Sequence, residues 1–289
     1  MDQSVRGRPT VVITGASMGI GAASAAELAR RGYNVFAGVR KPADAERLAA
    51  QSPHIVPLLF DVTNPCQVAA AAEAVGRSVG DAGLDGLVNN AGIVVACPLE
   101  ILPLDQLRLQ FEVNVVGQVA VVQAFLPLLR KARGRIVNIS SLNGRIASPY
   151  LGPYSASKHA LEAINNALRV ELRTWGIRVS TILPGATATP IWDKSLAAAD
   201  ALAAQVDDHS LDLYKNDLTA MRQAARNMAQ HAQPVESVVR CVVHALTARW
   251  PWTYYPVGLK VRLLLRVYTW IPDRIWDWLV RRSLGLPRS

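Results

Sequence analysis

The sequence predicts an α/β fold in which a doubly wound parallel sheet lies between two layers of helices. Short apolar runs rich in β-branched residues alternate with alanine-rich helical stretches, as in sheets that are buried on both faces. The first apolar run also ends in a glycine-rich turn before a helix begins. A chain of 289 residues with 51% hydrophobic composition can bury one large core. We therefore expect a single domain over residues 1–289.

Six predicted strands follow one another along the chain, with helices between them. The strands span residues 10–14, 34–39, 55–60, 86–89, 134–140 and 177–183. One helix at 22–31 follows the first strand, and two long helices at 105–131 and 154–175 flank the fifth. Residues 188–233 are helical, polar on one side and without a strand. Ligands bind beyond the carboxyl ends of such strands, so we expect this segment to be a substrate-covering lid. A pair of ordinary surface helices is the alternative.

The charge and the cysteines argue against several classes of partner. Eight lysines and arginines and two aspartates lie from residue 249 onward, so this region carries +6 of the net charge of +9. The rest of the chain is nearly neutral, which argues against a nucleic-acid-binding face. Cys66, Cys97 and Cys241 lack the spacing of a zinc site, and we expect no metal. Without a stretch of signal-peptide or membrane-span length, we expect a cytoplasmic protein.

The turn after the first strand favours a dinucleotide site. It reads Thr14-Gly15-Ala16-Ser17-Met18-Gly19-Ile20-Gly21. Gly15 permits the tight turn, Gly19 lets the backbone approach a pyrophosphate, and Gly21 lets the helix pack closely on the strand. The diphosphate would then bind backbone N–H groups at the positive end of the helix.

The end of the second strand indicates which dinucleotide binds. A carboxylate at this position would bind the ribose of NAD, but the chain has Arg40 and Lys41 instead. A guanidinium group binds phosphate through two hydrogen bonds, so we expect NADP(H) as the favoured cofactor with Arg40 as its main phosphate contact. The alternative is a solvated Arg40 and a site that also accepts NAD(H).

Tyr154 and Lys158 lie one helical turn apart on the same face. A phenol has a pKa of about 10, and a neighbouring cation lowers it toward the range useful for proton transfer. Alone, the pair is also compatible with two solvated side chains on a helix.

Together, these motifs resemble the short-chain dehydrogenase/reductase family over nearly the whole chain. The glycine turn, Asn89-Asn90-Ala91-Gly92, Asn114, Ser141, Tyr154-x-x-x-Lys158 and Pro184-Gly185 occur in the family's order. The resemblance implies a Rossmann-type fold and hydride transfer between a nicotinamide cofactor and an alcohol or carbonyl compound. The run from Ser140 to Arg145 is similar to the branch that contains retinol and hydroxysteroid dehydrogenases, which implies a lipophilic substrate such as a steroid or retinoid.

The resemblance also implies residue roles. Tyr154 would be the general acid and base, Lys158 would lower its pKa and bind the nicotinamide ribose, and Ser141 would hydrogen-bond the substrate oxygen. Asn114 would kink its helix and hold a water of a proton relay, with a purely structural buried amide as the alternative. Only one of Ser140 and Ser141 can face the site, because side chains alternate along a strand. The implied cofactor contacts are Gly15, Ser17, Met18, Gly19, Ile20, Gly21, Arg40, Asp61, Val62, Asn89, Ala91, Gly92, Tyr154, Lys158, Pro184, Gly185, Thr187 and Thr189.

The tail at 250–289 holds five of the seven tryptophans and predicts two amphipathic helices, at 258–271 and from Pro272 onward. Such helices are typical of peripheral membrane anchors, and also of pocket covers and subunit contacts.

The resemblance further implies a homodimer or homotetramer formed through the two long helices. Two alternatives to an enzyme are a nucleotide-binding regulator without activity and a lipid-binding protein at a membrane surface.

Overall fold

A computed structural model describes residues 7–204 and 208–285 of the chain. The strands are β1 (Thr10–Ile13), β2 (Asn34–Val39), β3 (Ile55–Leu59), β4 (Gly86–Asn89), β5 (Arg135–Ile139), β6 (Arg178–Leu183) and β7 (Tyr254–Pro256). The helices are α1 (Gly19–Arg30), α2 (Pro42–Ala49), α3 (Pro65–Val79), α4 (Leu104–Phe111), α5 (Gly117–Ala132), α6 (Gly152–Glu171), α7 (Ile191–Ala203), α8 (Asp208–Gln230), α9 (Val235–Thr247), α10 (Leu259–Tyr268) and α11 (Asp273–Ser283).

All the strands pair in parallel in one sheet of order β3-β2-β1-β4-β5-β6-β7, so the predicted fold class is confirmed. The order reverses direction between β1 and β4, which places a crevice at the carboxyl ends of these two strands. The sequence patterns did not indicate β7, and they assigned its residues to a tail outside the sheet. β7 has only three residues and ends in proline, too few for a periodicity to be visible.

The core lies on both faces of the sheet. Side chains alternate along β1, so that Val11 and Ile13 pack toward α1 and α9, whereas Val12 packs toward α3 and α5. Val11, Val12 and Ile13 are all fully buried. Burial on both faces explains why the strands are continuous apolar runs.

One apolar helix, Leu104–Ala132, is long enough among the described residues to cross a membrane. It consists of α4, a π-helical turn at Glu112–Val116 and α5. Half of its most apolar stretch is buried, and Val121, Phe125 and Leu129 belong to the core beneath the sheet. Packing within the domain therefore accounts for its apolar composition.

Buried amides connect three strands to α6. The Asn89 amide donates to Asn138 Oδ1 at 2.9 Å, and Asn138 in turn donates to Asn165 Oδ1. The Asn165 amide donates to the Thr181 hydroxyl at 3.2 Å. Each of these four side chains is almost completely buried, so each depends on its neighbours for hydrogen bonds.

We expect Asn138→Ala to lower the free energy of unfolding by about 2–4 kcal/mol, because the amides of Asn89 and Asn165 both lose a partner. Urea denaturation measures the change. Asn216→Ala, at an exposed position of α8, is the matched control and should change stability by less than about 0.5 kcal/mol. An unchanged midpoint for Asn138→Ala would show that these bonds do not stabilise the sheet.

Candidate active site

Ser141, Tyr154 and Lys158 come together where β5 ends and α6 begins. The loop after β5 carries Ser141, and α6 starts two residues before Tyr154 with Pro153 in its first turn. The Ser141 hydroxyl is hydrogen-bonded to the Tyr154 phenol. The Lys158 ammonium lies 5.9 Å from the centre of the Tyr154 ring and donates to the Ile139 carbonyl at 2.8 Å.

The pKa of Tyr154 differs from the sequence-based expectation. Burial raises it, and only the hydrogen bond from Ser141 acts in the opposite direction. Burial also lowers the pKa of Lys158 to about 8, while the negative charge of Glu162 opposes this shift. The expected lowering of the tyrosine pKa by Lys158 is therefore not found. The lost hydration of the phenol outweighs the hydrogen bond from Ser141, and the Lys158 ammonium does not contact the phenol, so the phenol is protonated at neutral pH.

The two neighbouring serines lie on opposite sides of the backbone. Ser140 is buried, and its hydroxyl oxygen points toward Gly144, where an added Cβ would lie 2.7 Å from it. Ser141 instead faces the phenol. Asn143 shapes the loop between them and α6: its backbone N–H donates to Ser141 Oγ at 3.1 Å, and its amide donates to Ser155 Oγ at 3.1 Å.

Three buried amides on the long helix hold the loop that follows β4. Gln110 accepts from Val95 N–H at 2.7 Å and donates to the Ile93 carbonyl at 2.9 Å. Asn114 bonds both backbone groups of Ile93 and donates to Ser157 Oγ at 3.1 Å. Gln118 donates to the carbonyl of Ala91.

Asn114 lies in the π-helical turn, and such turns are sites at which helices bend. Gln110 and Gln118 were not among the predicted site residues, although both are four residues from Asn114 within an apolar helix. Residues four positions apart lie on the same face of a helix, so this spacing predicts one polar stripe that contains all three amides.

A cleft of about 370 Å³ opens at the carboxyl ends of β1 and β4. Many of the predicted cofactor contacts line it, and Asn90, which was not among them, does so as well. The predicted residues that line the cleft are Gly15, Ser17, Met18, Gly19, Ile20, Arg40, Asp61, Val62, Ala91, Gly92 and Thr189.

The cleft fits a dinucleotide. The first turn of α1 leaves backbone N–H groups without helical partners, and Met18 at the N-cap has no side chain that could cap them. Gly15 and Gly19 have φ angles of 63° and 57°, which glycine adopts without strain. A Cβ on Gly15 would lie 2.8 Å from the Ala91 backbone, so a larger residue would disturb the floor of the cleft.

The remaining predicted contacts do not line this cleft. Asn89 bonds Asn138 in the sheet, and Gly21 packs against the glycine turn, where a Cβ would lie 2.4 Å from the Gly15 carbonyl. Pro184, Gly185 and Thr187 lie in the loop after β6. Tyr154 and Lys158 lie beyond the inner end of the cleft, where a Cβ on Gly92 would be 3.8 Å from Lys158 Nζ.

Charged groups border the outer end of the cleft. Arg40 Nη1 lies 3.5 Å from Asp61 Oδ2, and the arginine side chain is 67% exposed. Burial raises the pKa of Asp61, but hydrogen bonds from Thr63 and the charge of Arg40 outweigh this effect and lower it. Lys41 does not line the cleft. From the segment expected to be a lid, α7 adds Lys194 and Ser195 to the cleft wall, two residues that no sequence motif indicated.

Comparisons with known proteins show which family the chain is similar to. A family model for short chain dehydrogenases matches residues 9–200. An NADPH-dependent 3-dehydrocapnine reductase of Ornithobacterium rhinotracheale is 36% identical, with 94% of this chain and 96% of that protein covered. Human retinol dehydrogenase 5 is 37% identical over 92% of this chain and 86% of its own length.

Two solved structures share the fold over nearly the full length. A short chain dehydrogenase from Burkholderia cenocepacia in complex with NADP has a TM-score of 0.72 at 28% identity, covering 97% of this chain and 99% of that one. A short chain dehydrogenase/reductase from Burkholderia phymatum in complex with NAD has a TM-score of 0.76 at 27% identity, covering 91% and 95%. The chain therefore belongs to the short-chain dehydrogenase/reductase family and is an oxidoreductase.

Proposed function

We propose that this protein catalyses hydride transfer between NADP(H) and a lipophilic alcohol, ketone or aldehyde, with Tyr154 as the general acid and base. The observation that carries the proposal is the arrangement of Ser141, Tyr154 and Lys158 at the inner end of the dinucleotide cleft. One relative named as an NADPH-dependent reductase supports the cofactor, and one named as a retinol dehydrogenase supports the substrate class. When bound, the nicotinamide supplies or accepts the hydride.

Each of the three side chains has a distinct part in carbonyl reduction. The Ser141 hydroxyl hydrogen-bonds the substrate oxygen and stabilises the negative charge that develops on it. The Tyr154 phenol, protonated at neutral pH, delivers its proton to that oxygen. The nearby ammonium of Lys158 stabilises the phenolate that remains. In alcohol oxidation the phenolate accepts the proton instead.

The cofactor is held along the whole cleft. Backbone N–H groups of the glycine turn bind the diphosphate, Arg40 binds the 2′-phosphate, and Asp61 and Val62 contact the adenine. For the phosphate to bind, it has to compete with Asp61 for the Arg40 guanidinium. The large exposed fraction of Arg40 leaves the side chain room to reorient.

The segment 188–233 serves as the lid over the site. It forms α7 and α8, and Ile191 and Lys194 of α7 line the cleft. Leu202 of α7 packs with Val95 and Leu102 from the loop after β4, which makes the surroundings of the site apolar. The Tyr150 hydroxyl donates to Asp217 of α8, so the lid is also attached close to α6.

The protein also forms a homodimer or homotetramer in this proposal. The helices α4, α5 and α6 flank β5, and their outer faces expose Leu109 by 44% and Val170 by 64%. The π-helical turn exposes Val116 by 50%. Apolar side chains exposed on neighbouring helices favour association between copies.

We expect Tyr154→Phe to lower kcat by about 10²–10⁴-fold, because it removes only the proton that the phenol transfers. The assay follows NADPH absorbance with a panel of lipophilic ketones and alcohols, and fluorescence titration should show nearly unchanged NADPH binding. Tyr33→Phe, far from the site between α1 and β2, is the matched control. Wild-type turnover by Tyr154→Phe would refute the proposed mechanism.

Arg40→Ala should weaken NADPH binding by roughly tenfold or more, because a charge-assisted hydrogen bond to phosphate is lost. NADH binding should change much less. Isothermal titration calorimetry with each cofactor measures the two affinities. Lys41→Ala, which removes a cation outside the cleft, is the matched control. A larger effect from Lys41→Ala, or unchanged NADPH binding in Arg40→Ala, would contradict the assignment of Arg40.

The pKa of about 8 for Lys158 predicts the pH profile of reduction. The ammonium is charged below that pH and neutral above it, so kcat/KM for NADPH should be level below about pH 7.5 and fall above about pH 8. Glu162→Gln removes the charge that raises the lysine pKa, and should move this fall to lower pH. A profile that is level to about pH 10 in the wild type would contradict the role of Lys158.

A further inference from the structure

The C-terminal helix α10 exposes a stripe of large apolar side chains. Leu259, Leu263 and Val267 are four residues apart and lie on one face of α10, and Trp270 follows in the turn after the helix. Leu259 is 81% exposed and Trp270 is 86% exposed. Val261, on the opposite face, is buried against the domain. The helix therefore packs with one apolar face and presents a second apolar face outward.

The next helix, α11, repeats this arrangement. Ile275, Trp278 and Leu279 are exposed by 52%, 54% and 38%. Trp276, which is half-buried, packs edge-to-face on Tyr268 of α10, with ring centres 4.9 Å apart. We call the exposed apolar faces of both helices, together with the cations beside them, the C-terminal surface. Its apolar part is large and continuous along α10, unlike scattered surface hydrophobic residues.

Cations surround the apolar side chains of the C-terminal surface. On α10, Lys260 lies on one side of the stripe, whereas Arg262 and Arg266 lie on the other. Arg282 of α11 stacks on the Trp278 ring at 5.4 Å. Helices α10 and α11 together contain six lysines and arginines and two aspartates: Lys260, Arg262, Arg266, Arg274, Arg281, Arg282, Asp273 and Asp277.

The C-terminal surface lies at the same edge of the sheet as the active site. The chain enters α10 directly after the carboxyl end of β7, and Val261 packs against Gly185, where a Cβ would lie 2.9 Å from it. Burial and the bond to Asp217 raise the pKa of Tyr150 to about 12, and nearby Arg281 of α11 opposes this shift. Tyr150 lies four residues before Tyr154, so Arg281 of α11 lies near the start of α6.

We propose that the C-terminal surface docks the protein on an anionic lipid bilayer. Leucine and tryptophan side chains enter the boundary between headgroups and acyl chains, while the surrounding cations contact lipid phosphates. A second copy of this chain fits the surface less well, because a symmetric contact would bring cations against cations. The inference concerns binding and is independent of the reaction proposed for Tyr154.

Co-sedimentation of the full chain with lipid vesicles tests the proposal. We expect binding to phosphatidylcholine vesicles that contain phosphatidylglycerol, weak binding to phosphatidylcholine alone, and release at high salt. Lys260→Glu combined with Arg266→Glu should lower binding by about tenfold or more, since each cation near an anionic surface contributes favourably. Leu263→Ser combined with Trp270→Ser should lower it by a similar factor without changing the charge.

Two controls match these variants. Arg169→Glu combined with Arg173→Glu makes the same charge change at exposed positions of α6 and the turn after it, and Trp250→Ser removes a tryptophan that is 72% exposed outside the C-terminal surface. Both should bind as the wild type does. Wild type that stays in solution with anionic vesicles overturns the proposal. So does sedimentation velocity showing that the Leu263 and Trp270 variant loses an oligomer while vesicle binding is unchanged.

Discussion

A buried ammonium group requires hydrogen-bond acceptors in place of water, and Lys158 donates to the Ile139 carbonyl at 2.8 Å. This bond fixes α6 against the carboxyl end of β5. Because Tyr154 lies one turn earlier on the same helix, fixing the lysine also fixes the phenol, which the loop after β5 then meets with Ser141. Glu162, one turn later and only 4% exposed, keeps a negative charge near the lysine. The geometry of the site thus depends on how one buried cation is compensated.

The loop after β4, on the other side of Lys158, is held by neutral amide side chains. Gln110, Asn114 and Gln118 satisfy backbone groups of the loop after β4, which would otherwise be buried without partners. This loop lines the cleft near Lys158, so its position controls the distance between the cleft and the phenol. Lys158 and the amide of Asn114 both lie next to Gly92. Because glycine has no side chain, both groups can approach the loop closely.

Local patterns in the sequence predict most of this structure. Strands β2 and β4 match their predicted bounds, because buried strands are continuous apolar runs that turns delimit. The glycine turn identifies the cleft because its conformation requires glycine. Local patterns do not predict properties that depend on tertiary contacts. The pKa of Tyr154 reflects burial, the contact of Asn89 reflects the neighbouring strand, and β7 forms only because β6 presents an edge.

The π-helical turn at Glu112–Val116 has a consequence for how the chain can vary in length. A π-helical turn holds one residue more than an α-helical turn, so it rotates everything that follows by about 100°. Upstream of it Gln110 faces the loop after β4, and downstream of it Val121 and Phe125 face the sheet. Deleting a single residue here would turn one of these faces toward solvent. Gains and losses of residues during evolution should therefore be excluded from this helix and concentrated in surface loops.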